Sequence, residues 1–259
     1  MTRLSILKQF VIAAIFITTV FACKTNKKSS LEFNLVTVAD SSLNHSNDTT
    51  ISSVISIRYF ETANADKSSV ADSINKDFFE WLSAFFDNDG ETITKDNLED
   101  VVASEIQKFI KEIRADSTLV DCESCKHAEL FVDAEPIYQN DKIISLVYSF
   151  YHYSGGAHGA HGITSFNYTK DGTPVTVENL STNIDELTAI AEQSFIKQNG
   201  DITDYWFDDD KFYLPSVFFF IENSIVFYYG IYEIAAYAAG DIYVELNNDE
   251  VKHLIDYLN

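Results

Sequence analysis

The chain is short of structure-breaking residues and of positive charge. Its 259 residues include only 3 Pro and 9 Gly, which excludes collagen-like, linker-like and low-complexity architectures. Lys and Arg total 18 against 40 Asp and Glu, a net charge of −22. Such a surface repels phosphate backbones and argues against nucleic-acid binding; it attracts cationic partners and speeds their encounter. Cysteine is scarce, at 3 residues. What is abundant is apolar and aromatic: 46% hydrophobic residues, with 20 Phe and 14 Tyr. That is enough to bury a substantial core.

Residues 1–22 read as an address rather than as structure. Arg3 and Lys8 form a basic start, an apolar run extends from Phe10 to Ala22, and Cys23 follows. These are the parts of a secretory signal peptide, and the run is too short for a spanning helix. Val20-Phe21-Ala22-Cys23 resembles the lipobox of bacterial lipoproteins, in which the cysteine takes a diacylglycerol and becomes the new N-terminus. Lipidation at Cys23 is therefore expected, a plain secreted protein being the alternative. Two or more acyl chains anchor stably where one is marginal. Loss of Arg3 and Lys8 with the leader moves the net charge from −22 to −24. Residues 23–30 read as a flexible basic tether, and no later run of 18 apolar residues lacks charge, so no second membrane segment is expected. The tether lacks an acidic export patch, which points to the outer membrane, facing the periplasm.

Cys122 and Cys125 are the remaining cysteines. In an oxidising compartment such a pair most simply forms a local disulfide. Metal-binding or free thiols and a redox C-x-x-C are the alternatives. A redox pair follows a strand and opens a helix, whereas here a helical stretch precedes the pair and a strand follows.

The body, residues 31–259, reads as a single α+β domain with a seam near residue 127: an antiparallel sheet with helices packed mainly on one face. Strands are expected over Leu31–Val38 and Ser53–Glu61, separated by a polar loop. Ile74, Phe78, Trp81, Leu82, Phe85 and Phe86 fall on one helical face, as do Leu98, Val101, Val102, Ile106, Phe109, Ile110 and Ile113. Asp87-Asn88-Asp89-Gly90 stops the first helix. Ala128–Tyr138 and Lys142–Tyr153 read as a hairpin around Asn140-Asp141. Ile163–Thr169 and Pro174–Val177 read as another around Lys170-Asp171-Gly172-Thr173. A helix is expected over Ile184–Lys197, a hairpin from Ser216–Ile221 and Ile225–Tyr229, a strand at Ile242–Leu246 and a last helix capped by Asn248.

The most distinctive stretch is Tyr153-Ser154-Gly155-Gly156-Ala157-His158-Gly159-Ala160-His161-Gly162. Its glycines permit positive φ and close backbone approach, and successive N–H groups in such a loop can form an anion-binding nest. His158 and His161 at this spacing suit turn structure, contact with a partner or glycan, or a zinc site that would need a third ligand, His152 being nearest. Asp87-x-Asp89-Gly90 matches only a fragment of a calcium loop. Asp204 to Asp210 packs four aspartates around Tyr205, Trp206 and Phe207, which fits a calcium or sugar site or a solvated loop anchored by its aromatics. No G-x-S-x-G, H-E-x-x-H, P-loop or dinucleotide fingerprint occurs, so no catalytic residue and no cofactor is nominated.

Ser154-Gly155-Gly156-Ala157-His158-Gly159, the strand Ile163–Thr169 and Tyr232-Glu233-Ile234-Ala235-Ala236-Tyr237-Ala238-Ala239-Gly240 together resemble a family of extracytoplasmic domains of unknown function. That family includes the lysozyme-binding outer part of RsiV-type anti-sigma factors and the non-catalytic part of PdaC-type peptidoglycan deacetylases. One departure is Ala236, where relatives often carry Pro. The resemblance covers roughly residues 50–258 and marks the Gly155–Gly159 and Tyr232–Gly240 loops; Gly155, Gly156, His158, Gly159, Tyr232, Tyr237 and Gly240, with His161 beside them, are the binding candidates. It implies a non-catalytic, lipid-anchored envelope module for a protein such as lysozyme, or for a cell-wall glycan. The alternative is a cell-wall or polysaccharide hydrolase using His158 and His161, with or without a metal.

Overall fold

The computed structural model describes residues 31–46, 49–62, 69–86 and 92–258. The leader, Cys23, the tether and the Asp87–Gly90 turn lie outside the described residues.

The described residues open with two long strands, β1 (Phe33–Ser46) and β2 (Thr49–Thr62), followed by helices α1 (Ser69–Phe86), α2 (Leu98–Ala115) and the short α3 (Ser117–Asp121). Strands β3 (His127–Gln139), β4 (Ile143–Tyr153) and β5 (Ala160–Thr169) complete a five-stranded sheet in the order β1-β2-β3-β4-β5. The pairs are antiparallel except β2 with β3, which is parallel. Joining parallel neighbours needs a long crossover, which α1 and α2 supply. After α4 (Val177–Leu180) and α5 (Ile184–Asn199), strands β6 (Val217–Phe220), β7 (Ser224–Tyr229) and β8 (Ile242–Asn247) form a separate antiparallel sheet, and α6 (Asn248–Val251) follows.

The fold is α+β, but with two sheets where one was expected. Period-2 alternation assigns the faces. On the large sheet, Ile55, Ile57, Leu130, Val132, Leu146 and Tyr148 turn toward α1 and α2 and share a core with Ile74, Phe78, Val102 and Ile106. The opposite face meets the small sheet through Val147, Phe219, Val226 and Tyr228. The small sheet's far face (Phe218, Phe220, Phe227, Tyr229) buries Leu187, Ala191 and Phe195 of α5. The layers therefore run helices, sheet, sheet, helix.

A buried polar network joins the two sheets. Ser145 donates to Asn167 Oδ1 (2.6 Å) and accepts from the Phe220 N–H (3.1 Å). Asn167 Nδ2 donates to the Phe218 carbonyl (2.7 Å), as does Ser165 Oγ (2.7 Å). Buried polar groups are costly unless paired, so this network fixes how one sheet sits on the other.

Several expected boundaries move. The polar stretch after Val38 continues β1 as far as Ser46, because pairing with the apolar β2 offsets its weak strand propensity. Pro174 makes only a single bridge to Tyr168, and the chain then turns into α4, so Pro174–Val177 is not a strand. The cap of the last helix is Asn247, whose side chain accepts from Asp249 N, and that helix is a single turn. β5 starts at Ala160, which moves His161 from the loop onto a strand. No helix among the described residues is long and apolar enough to cross a membrane.

Candidate functional site

The glycine loop connects β4 to β5 and leans on the cysteine pair. Cys122 and Cys125 form a disulfide with Cα atoms 5.3 Å apart, just before β3. Gly155 adopts φ +97° and lies so close to Cys125 that an added Cβ would stand 2.9 Å from its Cα. The Tyr153 hydroxyl sits 3.4 Å from the Ser124 carbonyl and 3.1 Å from that of Gly156. The disulfide is thus a floor for the loop's first half.

The second half meets the Tyr232–Gly240 segment. The Tyr237 hydroxyl donates to the Gly159 carbonyl (3.1 Å), which also accepts from His158 Nδ1 (3.0 Å). The His158 and Tyr237 rings stack with centroids 4.0 Å apart and 24° from parallel. His161 presents its edge to the same phenol ring at 6.0 Å, and Tyr232 tilts against it at 5.7 Å. Gly159 is buried beneath the Tyr151 ring, which an added Cβ would meet at 2.6 Å. Gly156 and Gly240, both at positive φ, border the cluster in open space. The eight binding candidates nominated above therefore lie on these two contacting loops and the start of β5.

Behind the rings stands a polar group that the motifs do not announce. Tyr228 donates to Asp241 Oδ1 (2.8 Å), while the second carboxylate oxygen lies 3.5 Å from His161 Nε2. Burial first, and Asp241 second, push the Tyr228 phenol above the ordinary tyrosine range, so it stays a proton donor to the carboxylate. His152, the nearest third zinc ligand by sequence, points the other way. Tyr151 pairs with His161 and His152 with Ala160, so His152 and His161 occupy opposite faces. The His152 ring instead meets Phe85 of α1 at 6.1 Å. Among the described residues, no group of three His, Cys, Asp or Glu side chains is placed to hold a metal.

Backbone strain gathers in the same region. The positive-φ non-glycine residues among those described are Asp209, Asp210 and Tyr232. Their two loops are joined where the Trp206 N–H donates to the Ile234 carbonyl (2.8 Å). Phe207 is buried and anchors the acidic loop, whereas Trp206 and Tyr232 are each 56% exposed.

Two families match consecutive parts of the chain. The family described as "Deacetylase PdaC" matches residues 44–161, and the one described as "Protein of unknown function (DUF3298)" matches residues 175–249. The chain is thus similar to the PdaC-type family in its first part and to the DUF3298 family in its second. The crystal structure of a DUF3298 family member from Bacteroides fragilis is similar over 88% of this chain and 95% of that one, with 15% identity and a TM-score of 0.66. A DUF3298 protein from Pseudomonas aeruginosa is similar over 86% of this chain and 94% of its own, with 14% identity and a TM-score of 0.54. At these identities the likeness is one of fold. No curated protein matches the chain in sequence. His158 lies near the end of the PdaC-matched residues and Tyr237 within the DUF3298-matched ones, so the stacked pair is a contact between the two.

The motifs did not disclose Phe131, Tyr151 or Asp241. Phe131 had a signal: in Glu129-Leu130-Phe131-Val132-Asp133-Ala134-Glu135 the even residues are buried, and Phe131 is the apolar exception on the polar face. Asp241 had none, since its partners come from β5 and β7.

Proposed function

We propose that this chain is a non-catalytic binding module of the cell envelope, anchored by lipid at Cys23, that recognises a lysozyme-like protein or a cell-wall glycan. The observation that carries the reading is the convergence of the glycine loop and the Tyr232–Gly240 loop on one aromatic surface. Tyr237 packs on His158 and is tied to the Gly159 carbonyl, while the exposed Tyr232 is held at φ 66°. Non-glycine residues in the left-handed region are costly and cluster at binding and switch sites. Exposed aromatics with a polar tip are typical anchors of recognition surfaces. The net charge of −22 favours cationic partners and makes their capture salt-sensitive. The leader and its basic tether support anchoring on the outer membrane, facing the periplasm.

The test is capture of partners from envelope extract by the purified chain, with lysozyme and solubilised wall glycan as defined probes. Tyr232→Ala/Tyr237→Ala should lose the captured partner while circular dichroism stays unchanged. Undiminished capture by that variant, or turnover of wall polymer by the pure protein, would overturn the reading. Mass spectrometry should find the processed N-terminus at Cys23 carrying acyl chains; an unmodified thiol or an intact leader would refute the anchor.

A further inference from the structure

The large sheet leaves part of one face uncovered, and that face carries a second set of ligand-shaped features beside the two loops. Phe131 on β3 lies opposite Tyr151 on β4, which in turn lies opposite His161 on β5. Phe131 is 41% and Tyr151 38% exposed, with ring centroids 6.5 Å apart. Tyr151 covers Gly159, so the pair is continuous with the His158–Tyr237 stack. Two residues along each strand, on the same face, stand Asp133 and Ser149. These, with Arg58, Glu135, Phe219 and Tyr243, line a cleft of about 410 Å³ where the small sheet overhangs the large one. Arg58 is held in an ion pair with Asp133, and Glu129 and Glu135 share the outward face of β3 with Phe131 and Asp133.

We propose that the Phe131–Tyr151 pair and the adjoining cleft form a saccharide site for an oligosaccharide of amine-bearing sugars. The inference rests on the binding-module reading above and names its ligand class. Flat exposed rings accept the apolar face of a pyranose, and carboxylates, a serine and a tyrosine hydroxyl beside them supply hydrogen bonds to ring hydroxyls. The cleft is at the small end of ligand pockets, suited to one sugar unit of a chain. Charge selects the sugar. Glu129, Asp133 and Glu135 against Arg58 leave this face negative, so anionic polysaccharides are repelled. An ammonium group gains both from the carboxylates and from the aromatic faces, which attract cations within about 6 Å.

The test uses the purified full chain in detergent, with a glucosamine hexamer and an N-acetylglucosamine hexamer as probes in calorimetry. The free-amine oligomer should bind at least tenfold more tightly than the acetylated one, and less tightly as salt is raised. Phe131→Ala/Tyr151→Ala should abolish binding with unchanged circular dichroism, and Tyr151→Phe, which keeps the ring, should retain it. Equal affinity for both oligomers, no affinity for either, or full binding by the double alanine variant would each overturn the proposal. Should neither oligomer bind while a protein is still captured in a Tyr232- and Tyr237-dependent way, the saccharide site falls and the binding module stands.

Discussion

The imidazole of His158 and the phenol of Tyr237 stack 4.0 Å apart across the boundary between the PdaC-type and DUF3298 segments. The contact is reinforced by the Tyr237 hydroxyl, which donates to the carbonyl next to that imidazole. The two parts of the pair can be separated by substitution. Tyr237→Phe keeps the stack and loses one hydrogen bond, a cost of about 1 kcal/mol. Tyr237→Ala also removes the stack, worth about another 0.5–1.5 kcal/mol beyond the lost burial. Urea denaturation of both variants checks the order. Equal stabilities would mean that the stack contributes nothing.

Tyr232 offers a case in which stability and binding move apart. It is exposed and holds φ 66°, a conformation that costs an ordinary residue about 1–2 kcal/mol and that asparagine adopts more readily. Tyr232→Asn should leave the midpoint of thermal unfolding unchanged or higher while partner capture is lost. A lowered midpoint would show that the ring supports the fold.

Ser145 is the hinge of the network between the sheets. Ser145→Ala leaves the Phe220 N–H and Asn167 Oδ1 without their partner, and each orphaned buried group costs about 1–3 kcal/mol. Chemical denaturation should show a loss of about 2 kcal/mol or more, far beyond that of a surface serine. A loss below about 0.5 kcal/mol would mean that the network does not hold the layers together.

Alkaline pH tests the aromatic core as a whole. Burial, then Glu61 and Glu99, push the Tyr59 phenol up to about 12, and burial first also raises Tyr148, Tyr168 and Tyr229. Each phenol keeps its proton in the folded state after the unfolded chain, titrating near 10, has released it. Unfolding in that window therefore releases protons, so stability is fully present below about pH 10 and falls as pH rises toward 12. Followed together, the part of the tyrosinate absorbance that comes from these buried phenols should appear only as the circular dichroism is lost. Ionisation of most tyrosines near pH 10 in a protein that remains folded would contradict this account.

The sequence was most legible where one face of an element is buried and the other wet. The apolar period of α1 and α2, the β3–β4 hairpin with its Asn140 turn and the Gly200 stop of α5 follow from local chemistry alone. Less legible were elements whose form depends on a distant neighbour. Asp40–Ser46 is polar yet lies in β1 because β2 pairs with it. The parallel register of β2 and β3 depends on a crossover that no local pattern encodes. The same holds at the site. The glycine loop and the Tyr232–Gly240 segment stood out by composition, but the bond between them, the Asp241 group behind them and the Phe131–Tyr151 pair beside them arise only when strands are brought into register.

The first described residue, Leu31, is fastened by two hydrogen bonds to the side chain of Gln139, at the last position of β3. Phe131 stands toward the other end of the same strand, a span of ~25 Å at the rise of an extended backbone. Strand β3 therefore sets the distance between the point where the described chain enters the sheet and the aromatic rings, which stand a strand's length apart.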